Sequence, residues 1–196
     1  VAAAFIPKLL LAKQAPHTDL IMANNNITST GAEALANGLK DYTPLTRLNI
    51  RDNKLTLGHK RAAFDGTLDW HYEKKNDGVI ALANAIVKAK GLTELDIASN
   101  SIGAAGAKAF SKSTKLLSKL DMSNNDLGGW PDKSGLKALS NCIAVSRSLQ
   151  DLDVSLNDLR GEDSSILAEA LITNGSLTKL EMAGNPVRDA GGEAMA

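Results

Sequence analysis

Carboxylates recur in this chain at a spacing that would place them on one surface. Asp96, Asp121, Asp153 and Glu181 each follow a leucine and precede another apolar residue. Glu94 and Asp151 stand two residues before Asp96 and Asp153, with Lys119 and Lys179 at the matching places in the other two copies. If each short segment is a strand, residues two apart share a face. Six carboxylates would then face two lysines. Two like charges about 5 Å apart repel by roughly 0.8 kcal/mol in water and roughly 3 kcal/mol at an effective dielectric of 20. Such a stripe needs solvent or cations. It could draw a basic partner, or it could be a wet surface crossed by ion pairs. A second group is Asp69, His71 and Glu73, which alternate and would share a strand face, with His59 nearby. That set could hold a metal, yet no known ligand spacing is present and no metal or cofactor is expected. A third group is aromatic: Trp70 with Phe64 and Tyr72, and Trp130. Tryptophan and tyrosine are enriched at interface hot spots; they could equally fold back and bury themselves. Phosphate loops, nucleophile elbows and metalloprotease helices do not occur, so no enzyme is expected.

The elements that must position these residues are written in the sequence as a repeat. Leu45, Leu48, Ile50, Asn53 and Leu55 form one copy of Leu-x-x-Leu-x-Ile-x-x-Asn-x-Leu. Asn100, Asn125, Asn157 and Asn185 mark four more, and Leu20, Met22, Asn25 and Ile27 a weaker first one with His17 in the leading place. Repetition is the signal that decides the fold. Between copies, apolar residues recur at helical steps, as in Leu35, Ala36 and Leu39 or Val79, Leu82, Ala83 and Ile86. Each unit is thus a strand, a turn, a helix and a return loop. Strands stack at about 4.8 Å and helices need about 10 Å, so the stack must curve with strands inside. A buried Asn column can satisfy loop backbone groups that would otherwise cost roughly 1–3 kcal/mol each.

This pattern resembles the leucine-rich-repeat family, in particular its ribonuclease-inhibitor-like branch. The resemblance implies an α/β solenoid shaped as a horseshoe, about six strand–helix units in one domain over 1–196. It places a parallel sheet on the concave face and helices on the convex face. It also implies a protein-binding platform rather than a catalyst. Two departures stand out. The step from Asn53 to Asn100 is far longer than that from Asn25 to Asn53, and the excess, 56–76, reads as a rim insertion with a hairpin turn at Asp65-Gly66. A shorter insertion spans 128–133. Both fall between a strand and its helix and should emerge on one rim. Residues 1–16 read as the helix of a partial preceding unit, and both ends look cut from a longer array, with end-to-end association an open arrangement.

Composition sets bounds. The chain has 196 residues, with 22 basic and 22 acidic, so its formal net charge is zero. General nucleic-acid and membrane-surface binders are basic, and neither partner is expected. No stretch is apolar and long enough to span a bilayer. Cys142 is the single cysteine, which fits a reducing, cytoplasmic setting; it sits on a helix beside Ile143 as a small packed side chain. Three functions remain. The preferred one is a binding module with Asp96, Asp121, Asp153, Glu181, Glu94 and Asp151 lining its concave face and Trp70, Tyr72 and Trp130 on its rim. The second is a trans-acting regulator resembling Ran GTPase-activating proteins, for which Arg47, Arg51 and Arg160 are the arginines to suspect. The third is a purely structural segment of a larger receptor or scaffold.

Overall fold

The computed structural model describes residues 18–40, 44–57, 75–128 and 132–196. The N-terminal helical unit over 1–16, His17, the body of the long insertion with its Asp65-Gly66 turn, and the centre of the short insertion lie outside the described residues.

Six strands of three residues form one parallel sheet in chain order: β1 Asp19–Ile21, β2 Arg47–Asn49, β3 Glu94–Asp96, β4 Lys119–Asp121, β5 Asp151–Asp153 and β6 Lys179–Glu181. The central leucines pair across every step, from Leu20 through Leu48, Leu95, Leu120 and Leu152 to Leu180. Strands are short because one inward leucine and its two flanks are all that each unit offers to the ladder. Six helices return the chain on the other side: α1 Ser29–Leu39, α2 Asp77–Lys88, α3 Gly103–Phe110, α4 Ser134–Val145, α5 Gly161–Thr173 and α6 Arg188–Met195. The molecule is an α/β leucine-rich solenoid, as the repeat predicts.

The core is one layer deep and continuous. Leu48, Ile50, Leu55, Leu82, Ile97, Phe110, Leu120, Met122, Leu136 and Leu152 are all essentially solvent-free. Small residues let the helices approach. A Cβ added at Gly78 would lie 2.1 Å from the Ser29 carbonyl oxygen, and one at Gly135 would lie 2.2 Å from that of Ala104. The Ser29 hydroxyl fills the same gap from the other side, accepting the Gly78 N–H at 3.0 Å.

The asparagine column is a ladder. Asn125 Nδ2 donates to the carbonyls of Ile97, Met122 and Ser123, while its Oδ1 accepts from the N–H groups of Asn100 and Ile102. Asn53 and Asn157 repeat the pattern. The chain bends around Asn25, Asn100, Asn125 and Asn157 because both neighbours turn left-handed, as at Asn24 and Asn26 or Asn124 and Asp126. One rung is broken. Lys54 is not left-handed, its N–H goes to Ile27 O, and the buried Asn100 Oδ1 is left without a donor. That is where the long insertion departs. Its feet meet at Thr56, whose carbonyl accepts the Lys75 N–H at 2.7 Å.

The third unit is shorter than the repeat pattern suggests, with 25 residues from Asn100 to Asn125. Its helix α3 stops at Phe110, and Ser111–Lys115 form a 3-10 turn instead.

Candidate functional site

The concave surface is built from three columns of side chains, each contributed by successive strands in register. The first column reads Asp19, Arg47, Glu94, Lys119, Asp151 and Lys179. Its charges alternate at every step, so each cation has a carboxylate on a neighbouring strand. Arg47 bonds Glu94 at 2.8 Å and lies 3.9 Å from Asp19. Lys119 and Lys179 flank Asp151 at 3.4 and 3.8 Å. The hydrogen bond that Arg47 donates to Glu94, then the charge of Glu94, holds the Arg47 pKa above the ordinary value.

The second column is Ile21, Asn49, Asp96, Asp121, Asp153 and Glu181. Here the structure brings together the four predicted carboxylates and gives three of them a second task. Asp96 accepts the N–H of Ala98, Asp121 that of Ser123 and Asp153 that of Ser155, at 3.1, 2.9 and 2.8 Å. Asn49 does the same for Arg51 at 3.0 Å. These bonds close the turn at the ends of four strands, so an Asp or Asn after the central leucine serves local structure there. The stripe is acidic partly for that reason.

The third column, two residues beyond each strand, reads Ala23, Arg51, Ala98, Ser123, Ser155 and Ala183. Arg51 is the cation that sequence reasoning left out of the stripe. Its guanidinium reaches across two strands, bonding Asp96 at 3.0 Å and also Asp121. Partial burial pulls its pKa down, and the bonds to Asp96 and Asp121 more than reverse that, leaving it raised. The signal was present: every other residue of the column is Ala or Ser. A shallow cavity of about 290 Å³ lies over this network, lined by Arg47, Asn49, Glu94, Asp96, Lys119 and Asp121.

The two ends of the face therefore differ. Toward β2–β4 the carboxylates are answered by Arg47 and Arg51, while Lys119 reaches across to Asp151 on β5. Toward β5–β6, Lys179 answers Glu181 and Asp151, with its pKa raised by the hydrogen bond to Glu181 first. Asp153 has no cation within 4 Å among the described residues. Exposed pairs of this kind contribute roughly 0–1 kcal/mol each, so they shape the field more than the stability. No described residues form a group of three or more His, Cys, Asp or Glu able to hold a metal. Asp69, His71, Glu73 and His59, and the aromatics Trp70, Tyr72, Phe64 and Trp130, lie outside the described residues. Arg160 pairs with Asp158 at 3.1 Å on the rim, and with Arg47 and Arg51 engaged as above, each suspected arginine already holds a carboxylate. No helix among the described residues is long and apolar enough to cross a membrane.

Comparison with known proteins fits this geometry. A family model described as Leucine Rich repeat matches residues 18–36, 92–111, 145–163 and 173–196. The chain is 26% identical to a ribonuclease inhibitor of Mus musculus over 171 residues, 85% of this chain and 32% of that protein. It is 27% identical to one of Sus scrofa over 174 residues, 82% of this chain and 37% of that one. The chain thus spans about a third of the length of these relatives. Among solved structures it is similar to Leiomodin-1 Actin-Binding Site 2, with a TM-score of 0.60 at 13% identity, covering 88% of this chain and 87% of that one. The tropomodulin C-terminal domain of Caenorhabditis elegans gives 0.59 at 12% identity, covering 88% and 93%. At these identities the likeness to the two structures is one of fold.

Proposed function

We propose that this chain, a leucine-rich-repeat protein of the ribonuclease-inhibitor-like type, is a non-enzymatic protein-binding module whose concave face receives a basic partner. One observation carries the reading. Across the three columns four cations, Arg47, Arg51, Lys119 and Lys179, meet seven carboxylates, and by strand two of the three excess charges belong to β5–β6, where Asp153 has no cation within 4 Å among the described residues. A rigid acidic surface steers a basic partner and speeds encounter, an effect that weakens with salt. Asp96 and Asp121 belong to the stripe, but Arg51 already holds them, so they should add little to attraction. The rim aromatics Trp70, Tyr72 and Trp130 are assigned to the border of the same surface, and a reducing, cytoplasmic setting suits the single Cys142.

Affinity capture from the native source at low and high salt tests this, followed by two variant pairs. Asp153→Asn with Glu181→Gln should cut capture at low salt by about tenfold, because Asn keeps the turn bond to Ser155 and removes only the charge. Asp96→Asn with Asp121→Asn should change it by less than about threefold. Capture indifferent to salt and to Asp153 and Glu181 would defeat the proposal.

A further inference from the structure

The chain's zero net charge hides a second charged surface. Each return loop, from the end of a helix to the start of the next strand, is tied to the loop before it. Thr93 and Ser118 donate through their N–H groups to Thr46 O and Thr93 O, and Gln150 N–H to Ser118 O. The loops also bond through side chains, Ser146 Oγ to Thr114 O at 2.7 Å and Ser176 Oγ to Ser146 O at 3.2 Å. They form one continuous rim, on the side opposite the insertions. Along it stand Lys40, Lys88, Lys90, Lys112, Lys115 and Arg147, all exposed. None of these has an ion pair among the described residues, and the described loop residues 44–46, 89–93, 112–118, 146–150 and 174–178 contain no carboxylate.

The helix dipole accounts for only part of this. Lys88 lies in the last turn of α2, where a cation is favoured. Lys90 and Arg147 stand beyond their helices, where that field has decayed. Six like charges on consecutive units repel one another, and no carboxylate among the described residues pairs with them.

We infer that this rim is a docking surface for an extended acidic segment of a protein partner. The cations span three repeat steps, roughly 15–30 Å, the reach of about five to nine residues of extended chain. Charge identifies the partner as anionic, and three observations select a polypeptide. Five of the six cations are lysines rather than the forked arginines favoured by phosphate. The described residues of these loops include no aromatic, which removes both the stacking platform for bases and the anchor for a lipid interface. Beside the last cation, Val145 and Ile172 stand 57% and 84% exposed, an apolar flank that side chains of a polypeptide can cover. This surface is separate from the concave face, so it stands or falls without that reading.

The test uses the full chain and a fluorescein-labelled dodecapeptide of glutamate and leucine. Parallel arms use vesicles of phosphatidylcholine with phosphatidylserine, and a single-stranded oligonucleotide of similar length. The peptide should bind at low salt, and the combined changes Lys88→Glu, Lys90→Glu, Lys112→Glu and Lys115→Glu should weaken it by about tenfold or more. Lys54→Glu with Lys137→Glu, off this rim, should leave it within about twofold. A circular dichroism spectrum unchanged in the variants assigns the loss to binding. No binding, an equal loss in the Lys54 and Lys137 variant, or tighter binding of the vesicles or the oligonucleotide overturns the inference.

Discussion

Leu156 breaks the rule that its five counterparts obey. The residue before each ladder asparagine turns left-handed, and the chain puts Asn24, Asp52, Ser99, Asn124 and Gly184 there. Each tolerates a positive φ through a short polar side chain or the lack of one. At Leu156 φ is 56° and the side chain is 59% exposed, leaning over Gly184 of the next unit. A leucine in that conformation costs on the order of 1 kcal/mol, and an exposed side chain recovers little of it by burial. Leu156→Asn should therefore raise stability by about 0.5–1 kcal/mol, read as a higher midpoint in urea with an unchanged slope. A lower midpoint would show that the contact over Gly184 outweighs the strain. The ladder residues themselves were legible in the sequence, since Asn100, Asn125, Asn157 and Asn185 each repeat one local requirement. Arg51 stands out as the one charged residue of its column, but its role does not, because its partners lie 45 and 70 residues away and only the assembled sheet brings them within reach. That one side chain weakens the negative field toward β3 and β4, which the six carboxylates and two lysines of the stripe do not reveal.

Among the elements, the short insertion and the start of α5 explain each other. Most units place a glycine near the first turn of the helix, as at Gly31, Gly78, Gly106 and Gly135, whereas the fifth unit has Asp163. That carboxylate is fully buried. It accepts the Arg160 N–H at 3.0 Å and the ammonium of Lys133 at 2.5 Å, with the Lys133 side chain only 12% exposed. Lys133 is the last residue of the insertion that follows Gly128. The sequence showed both departures, the extra residues and the missing glycine, but as separate irregularities, since nothing local links positions 30 residues apart. Removing one partner of a buried pair leaves an uncompensated charge, so Lys133→Met or Asp163→Gly alone should each cost about 3 kcal/mol. The double variant restores the common glycine and removes both charges, and it should fall within about 1 kcal/mol of the parent. Chemical denaturation of the four proteins measures this. Additive losses would mean that the two residues act independently and that the insertion serves another purpose.

At the scale of the whole molecule, every strand packs only on its neighbours in sequence, and so does every helix. Stability in such an array is a sum of unit terms and nearest-neighbour terms, so it can vary along the stack. Burial varies in the same direction. Leu149, Leu152 and Val154 of the fifth unit are at most 1% exposed, whereas Leu177, Leu180 and Met182 of the sixth are only partly buried. Among the described residues β6 has a strand on one side only. The amides of Ile97 and Met122, bonded to Asp121 and Asp153 at 3.0 and 2.9 Å, lie between layers packed on both sides. In a protein of these 196 residues, hydrogen exchange should therefore be slower at Ile97 and Met122 than through β6 and α6. A core truncation at Leu120, worth about 2–5 kcal/mol, should lower protection in β3–β5 while leaving exchange in β6 nearly unchanged. The acidic excess of the concave face lies at β5–β6, toward the less protected end, so partner binding there should slow β6 exchange in particular. Uniform exchange along the chain, falling everywhere on truncation of Leu120, would instead mean that the units unfold as one body and that neighbour coupling dominates the unit terms.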